Sequence, residues 1–365
     1  MSAADQHVEF DGLDHVEFYV GNAALCVHFF EQALGFRRTA YAGLETGVRD
    51  RVSYVVEHGT ARFVVTAPLT DRGPVSEHVA RHGDGVASIA LAVSDCEVAR
   101  GRALGCGAVE AEAPSTIEDG RGEVNLASIR CYGDTVHRLI ERNSYSGPFL
   151  PGFEQCAPQG EEVDLFEGVD HIVGNVELGQ LERWVAFYED VFGFTELNAF
   201  SDEDVTTEYS ALMSKVMGDG EGRVKLPLNE PAQGKRRSQI EEFLDYYGGP
   251  GVQHIALETS DIITAVARLR DHGVGFLETP QSYYDELSDR IDGLEHPVES
   301  LAELGILADS DDEGHLLQVF TRPLGDRPTL FLELIERHGS NGFGAGNFKA
   351  LFEAIEREQE RRGNL

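Results

Sequence analysis

The sequence predicts an α+β fold in which a βαβββ unit is used four times, paired into two open-barrel halves, with an extra helix at the C-terminus. Three repeats predict it. The stretch from Asp14, DHVEFYVGNAALCVHFFEQALGF, returns from Asp170 as DHIVGNVELGQLERWVAFYEDVFGF. GVASIAL at Gly85–Leu91 returns as GVQHIAL at Gly251–Leu257, and HRLIER at His137–Arg142 returns as LELIER at Leu332–Arg337. A chain of 365 residues suits two domains that each bury a core, and the repeats place them at 10–150 and 165–365.

Each copy opens with an alternating strand, VEFYV at Val16–Val20 and HIVGNV at His171–Val176. A helix follows over 23–34 in the first copy and 181–192 in the second. In the second, Trp184, Val185, Phe187, Tyr188 and Val191 recur at helical spacing and should face a sheet. Gly35 and Gly193 stand where helix C-cap glycines belong, each followed by Phe. Strand-rich segments come next, and Gly218, Gly220 and Gly222 mark a hairpin turn in the second copy. A further strand, helix and hairpin complete each half. Between the halves, 147–162 is rich in Pro, Gly and charge and reads as a linker. The tail from Gly339, GSNGFGAGNFKALFEAIEREQERRGNL, has no counterpart in the first copy. There Asn347 is the expected N-cap, and Phe348, Leu351, Phe352 and Ile355 mark one apolar face. This helix either packs on its own domain or caps a site mouth, hinged on 342–346.

Composition narrows the function classes. The 41% hydrophobic and 26% charged content is that of a globular protein. A net charge of −34 argues against nucleic acid or an anionic membrane as partner, because their phosphates would be repelled. A pocket can still take an anionic small molecule if a metal sets the local field. No apolar run is long enough to span a membrane, and MSAADQHVEFDG lacks the features of a signal peptide. The five cysteines form no CxxC pair, so the expectation is a cytoplasmic protein with reduced cysteines.

Down the paired motifs, His15 faces His171, Ser88 faces His254, and Arg138 faces Glu333. The second copy thus offers His, His and Glu where the first offers His, Ser and Arg. An arginine cannot ligate a cation, so the first copy reads as metal-free and His15 as structural. Two imidazoles and one carboxylate hold one face of an ion and leave the other open, the arrangement suited to non-haem Fe(II). Each of these residues alternates with apolar neighbours, which points it into the barrel. A buried Glu333 needs a positive partner. Metal is the simplest, and Arg337 or Lys349 is the competitor.

Further polar residues share these inner faces: Ser210, Asn229, Gln239, Gln253 and Gln318. Singly, each reads as a core group satisfied by backbone. Together they are what a phenol or carboxylate ligand requires, with Phe320, Phe331, Phe343 and Phe348 as apolar walls.

In GVQHIAL, LPLNEP, KRRSQIEEFLDYYGGPG, LLQVFTRP, FLELIERHG and GFGAGNFKALFEAIEREQ, the chain resembles the 4-hydroxyphenylpyruvate dioxygenase family of the vicinal-oxygen-chelate (glyoxalase-like) superfamily. The resemblance runs from Asp14 to Leu365. It implies one Fe(II) per chain, held by His171, His254 and Glu333. It also implies that Ser210, Gln239 and Gln253 surround the substrate ring hydroxyl. Asn229, Gln318, Phe331, Phe343, Asn347 and Phe348 match positions that shape the family's pocket. The implied reaction turns 4-hydroxyphenylpyruvate and O₂ into homogentisate and CO₂, a step of tyrosine and phenylalanine catabolism. A homo-oligomer is expected. One alternative is 4-hydroxymandelate synthase, with the same substrate and metal; retention of Phe348 and of the NEP triplet at Asn229–Pro231 favours ring hydroxylation. The other is a non-catalytic binding protein of the same fold.

Overall fold

The computed structural model describes residues 8–157, 163–200, 211–232, 236–291 and 293–364. The first half runs β1 (Phe10–Tyr19), α1 (Ala23–Gln32), β2 (Arg37–Ala42), β3 (Arg51–His58) and β4 (Ala61–Pro68), a complete βαβββ unit. Its second unit is α2 (Pro74–His82), β5 (Gly85–Val93), α3 (Cys96–Gly105), β6 (Glu110–Asp119), β7 (Gly122–Arg130) and β8 (Val136–Glu141), followed by the short β9 (Glu154–Gln155). The second half repeats this as β10 (Gly168–Asn175), α4 (Leu181–Phe187), β11 (Thr195–Phe200), β12 (Ala211–Gly218) and β13 (Lys225–Ala232). Then come α5 (Gln239–Tyr247), β14 (Gly251–Glu258) and α6 (Ile262–Asp271), and three short helices, α7 (Gln281–Asp285), α8 (Leu287–Arg290) and α9 (Val298–Leu304). β15 (Leu307–Ser310), β16 (His315–Phe320), β17 (Phe331–His338) and α10 (Ala345–Arg362) complete the chain.

Two sheets result. The first has the order β6-β7-β8-β5-β1-β4-β3-β2-β9, the second β11-β12-β13-β10-β14-β17-β16-β15. In both, the two units join through their first strands, which pair antiparallel, and each of these pairs parallel with the last strand of its own unit. Register shifts between Val169 and His171, and between Val173 and Gly174, mark bulges that bend β10 at the centre of its sheet.

The helices are fixed by local chemistry. Asn22, Asp95 and Asp261 accept from Leu25, Val98 and Thr264 N–H at the starts of α1, α3 and α6. Ser238 and Glu241 make a reciprocal capping box on α5. In three of the four units a buried or half-buried glutamate on the last strand also accepts from the first N–H of the helix: Glu141 from Cys96, Glu230 from Leu181 and Glu336 from Ile262.

Three expectations need correction. The helix expected over 181–192 closes in a π-helical turn, Tyr188–Phe192, before Gly193 at φ 73°. The wider turn sends Tyr188 and Phe192 into the core shared by the halves, where Phe192 packs edge-on against Phe10. The described part of the expected linker, 147–157, is more than a linker, since Phe149 is buried against the first sheet and β9 pairs with β2. Last, Gly344, not Asn347, is the N-cap of α10, so the helix starts earlier and Asn347 lies inside it. One apolar cluster runs through both halves, from Val16 and Phe63 to Ile255 and Leu334.

Candidate metal centre

Three neighbouring strands, β10, β14 and β17, carry the His-His-Glu set. The register places His171 opposite Ala256 and Ala256 opposite Glu333, while His254 pairs with Phe331. Residues paired in register, and residues two apart on one strand, share a face, so all three side chains project inward. Ala256 is decisive between them, because a methyl group leaves room for His171 and Glu333 to meet over it.

The meeting is close. His171 Nε2 and His254 Nε2 each lie 3.3 Å from Glu333 Oε2. All three residues are buried. Ligand atoms about 2.1 Å from one ion at right angles stand about 3 Å apart, so this spacing is that of three neighbouring corners around a metal.

Hydrogen bonds set the tautomers. His171 Nδ1 lies 2.6 Å from Asp170 Oδ2, and a carboxylate can only accept, so Nδ1 carries the proton and Nε2 offers its lone pair inward. His254 Nδ1 likewise donates to Gln253 Oε1 at 3.0 Å. Asp170 is held by a two-pronged contact from Arg337, at 2.9 and 2.8 Å, and by Lys225 at 2.8 Å.

Burial works against charge on Glu333, but His171 and His254 outweigh it and bring its carboxyl down to about 2. It is ionised at neutral pH, as a ligand must be. Burial keeps His254 below its usual range, hence neutral. His171 moves the other way, because Glu333 and Asp170 overcome its burial. Two neutral-capable imidazoles and one carboxylate, with each Nε2 aimed at one oxygen, fit a divalent cation.

The other oxygen of Glu333 is tied down by a buried chain. Gln318 Nε2 donates to Glu333 Oε1 at 2.9 Å, Asn347 Nδ2 donates to Gln318 Oε1 at 2.8 Å, and Tyr283 O–H donates to Asn347 Oδ1 at 2.6 Å. Asn347, expected to cap a helix, thus connects α10 to the carboxylate.

The aromatic expectations divide. Phe331 stacks on His254 at 4.8 Å and Phe343 meets His171 edge-on at 5.3 Å. Phe320 lies 6.1 Å from His254. Phe348 meets Phe200 instead, in a cluster with Leu212, Ile240 and Phe352. Gln253 donates to Gln239 at 3.4 Å, and both line a cavity of about 30 Å³ with Phe331 and the α10 residues Ile355, Glu358 and Arg362. Asn229 is buried opposite Asn175, four positions beyond His171 on β10. Ser210 and the side chain of Lys349 lie outside the described residues. A larger groove of about 730 Å³, lined by Cys106, Arg130, Trp184 and Asp190, lies elsewhere, at the junction of the halves.

Sequence reasoning missed Asp170, Lys225 and Tyr283, and it named Arg337 only as a competitor to metal for Glu333. Arg337 binds Asp170 instead. The signal was in the repeat: Asp14, His15 and Arg142 make the same triad, with Arg142 Nε 2.6 Å from Asp14 and His15 2.5 Å from it. The first half also reproduces the covering ring, Phe149 edge-on to His15 at 5.0 Å. At the position of Glu333 it has Arg138, which binds Glu17 at 2.6 Å and fills the space with an ion pair.

The chain is similar to known proteins over nearly its whole length. The model of the glyoxalase/bleomycin resistance protein/dioxygenase superfamily matches residues 12–126 and 168–319. A probable 4-hydroxyphenylpyruvate dioxygenase 2 of Aspergillus fumigatus is 44% identical over 98% of this chain and 96% of its own length. The 4-hydroxyphenylpyruvate dioxygenase of Yarrowia lipolytica is 44% identical over 97% and 93%. Among solved structures, a mutant 4-hydroxymandelate synthase from Streptomyces coelicolor superposes with a TM-score of 0.87 at 34% identity, covering 96% of this chain and 99% of that one. Full-length identity of this order shows that the chain belongs to the 4-hydroxyphenylpyruvate dioxygenase family, within the glyoxalase/bleomycin resistance protein/dioxygenase superfamily.

Proposed function

We propose that the chain is an Fe(II)-dependent oxidoreductase that converts 4-hydroxyphenylpyruvate and O₂ into homogentisate and CO₂. The observation that carries this is the convergence of two imidazole Nε2 atoms on one ionised, buried carboxylate. That donor set holds a divalent ion on one side only. When bound, Fe(II) supplies open positions for the 2-oxo acid of the substrate and for O₂, together with the redox chemistry. A dication against one carboxylate leaves the site positive, which attracts the substrate anion into a chain of net charge −34.

The protein's own groups position and exclude. Asp170, clamped by Arg337 and Lys225, fixes His171; Gln318 fixes Glu333. Gln253 is engaged at both ends, accepting from His254 and donating to Gln239. The donors left for the ring hydroxyl are the Gln239 amide and the second N–H of Gln253, with Ser210 assigned beside them from the family pattern. Phe331 and Phe343 wall the ring and keep water out. Ile355, Glu358 and Arg362 of α10 line the small cavity beside Gln239 and Gln253, so withdrawal of α10 would open a route for substrate.

On this reading, residues 165–365 are the catalytic domain and 10–150 a metal-free scaffold, since Arg138 and Glu17 occupy the equivalent space. The working form is a cytoplasmic homo-oligomer; no helix among the described residues is long and apolar enough to cross a membrane. The likeness to 4-hydroxymandelate synthase makes benzylic hydroxylation the second reading. The family pattern, which the chain keeps at Phe348 and at the Asn229–Pro231 triplet, favours attack on the ring. Mass spectrometry of the product from anaerobically iron-loaded protein, mixed with substrate and air, tests the choice. Homogentisate is expected; hydroxymandelate would reverse the assignment.

A further inference from the structure

Strand alternation puts Glu333 on the inner face of β17 and Glu336 and His338 on the outer face. There a second group of ligating side chains has assembled that the inner site does not use. Glu336 is 4% exposed, and its Oε2 accepts from Ile262 N–H at 2.6 Å. Its other oxygen faces two imidazoles: His338 Nε2 lies 2.5 Å away, and His296 Nε2, from the segment between α8 and α9, lies 3.5 Å away.

We propose that His296, Glu336 and His338 form a second site, for a divalent transition ion of the zinc class, on the outer face of the C-terminal sheet. One atom from each of the three lies within 4.8 Å of the others. Imidazole nitrogen and carboxylate oxygen are ordinary zinc donors, and two of the side chains reach solvent, at 27% and 22% exposed, which leaves positions for water. The surroundings favour a dication. Glu295 Oε2 stands 3.7 Å from His338 Nδ1, so two carboxylates flank one ring. His315 stacks on His338 at 4.4 Å and 12°, holding the ring in plane, and its own buried Nε2 has no hydrogen-bond partner.

The repeat supplies the contrast. Glu141 and Glu230 accept from helix N-termini just as Glu336 does, yet two residues further on stand Asn143 and Ala232 instead of a histidine. The helix-binding glutamate is common to three units, and the histidines belong to the last unit alone. An ion there would tie the segment before α9 to β17, a structural clamp separate from the inner chemistry.

The test begins with protein saturated anaerobically with Fe(II), then dialysed against micromolar Zn²⁺ and assayed for both metals and for thermal unfolding. One zinc per chain beyond the iron is expected, with iron retained and the melting temperature raised. The double variant His296→Ala/His338→Ala should lose both the zinc and the thermal shift while keeping its iron. His338→Gln, which preserves size and hydrogen bonding, should lose them as well. Glu333→Ala, which removes the inner carboxylate, should still take up the outer zinc. Absence of extra zinc, uptake unchanged in the double variant, or entry only by displacing iron would each overturn the proposal.

Discussion

At the scale of single residues, the inner centre depends on one small side chain as much as on three polar ones. Ala256 separates His171 from Glu333 in the register, and a larger residue would stand between their ends. Ala256→Leu is expected to cost about 1–3 kcal/mol through overpacking and to abolish iron retention, read by thermal melts and metal analysis. Retained iron would show that the two ligands do not need that gap. Glu333→Ala should reduce oxygen uptake with 4-hydroxyphenylpyruvate to background at any added Fe(II), with the far-ultraviolet dichroism unchanged. Asp170 acts through His171. Burial opposes its charge, but His171 and Arg337 hold its carboxyl far below the usual range. Asp170→Asn leaves Arg337 and Lys225 facing a neutral amide and frees the His171 tautomer. Iron affinity should fall about 10–100-fold, as expected on losing the partner that orients a ligand. Unaltered affinity in an anaerobic titration would remove Asp170 from the centre.

At the scale of elements, α10 is coupled to the carboxylate through its first turn. Gly344 begins the helix at φ 72°, and a Cβ there would run into the Gln318 amide. The 342–346 glycines are thus a packed junction: Gly346 N–H donates to Asp309 at 2.9 Å and Arg337 donates to Gly342 O at 2.7 Å. Gly344→Ala forces a left-handed conformation on a residue with a side chain, at about 1–2 kcal/mol, and pushes Gln318 off Glu333. Lower thermal stability together with weaker iron binding is expected. A stability loss alone would mean that the Tyr283–Asn347–Gln318 chain does not hold the ligand.

At the scale of the molecule, the two halves are bolted together by polar contacts set into apolar surroundings. His137 on β8 accepts from Tyr188 O–H at 2.8 Å, and His82 lies 2.6 Å from Tyr247 O. Complete burial lowers the His137 imidazole from 6.5 to about 4. Below pH 6.5 the unfolded chain therefore binds a proton that the folded chain refuses. Stability from this group is full above that value and declines as the pH falls toward 4, by about 3 kcal/mol in all. His137→Gln should flatten this part of the stability curve between pH 6.5 and 4, measured by denaturant titration. An unchanged slope would assign the acid sensitivity to other groups.

Much of this was legible in the chain because repetition allows a sequence to be read against itself. Apart from β9, the strands of one half had counterparts in the other. The βαβββ plan, the capping glycine at Gly193 and the contrast of Glu333 with Arg138 therefore followed from alignment, whereas Gly35 lies two residues beyond the Ala33 cap of α1. The helix stop at Gly193 was legible, because a glycine there takes the left-handed φ of 73°. The role of Arg337 was not, because its partner Asp170 is 167 residues distant and alternation cannot say which inward neighbour a long side chain will choose. Nor was the place of Asn347, which obeys local rules for a cap and yet is claimed by Gln318 and Tyr283. By itself the sequence determined which residue types face inward, since that follows from a period of two along a strand. Only the tertiary structure decided which of them touch, because contact depends on register, bulges and the packing of α10, all set by chain segments far apart.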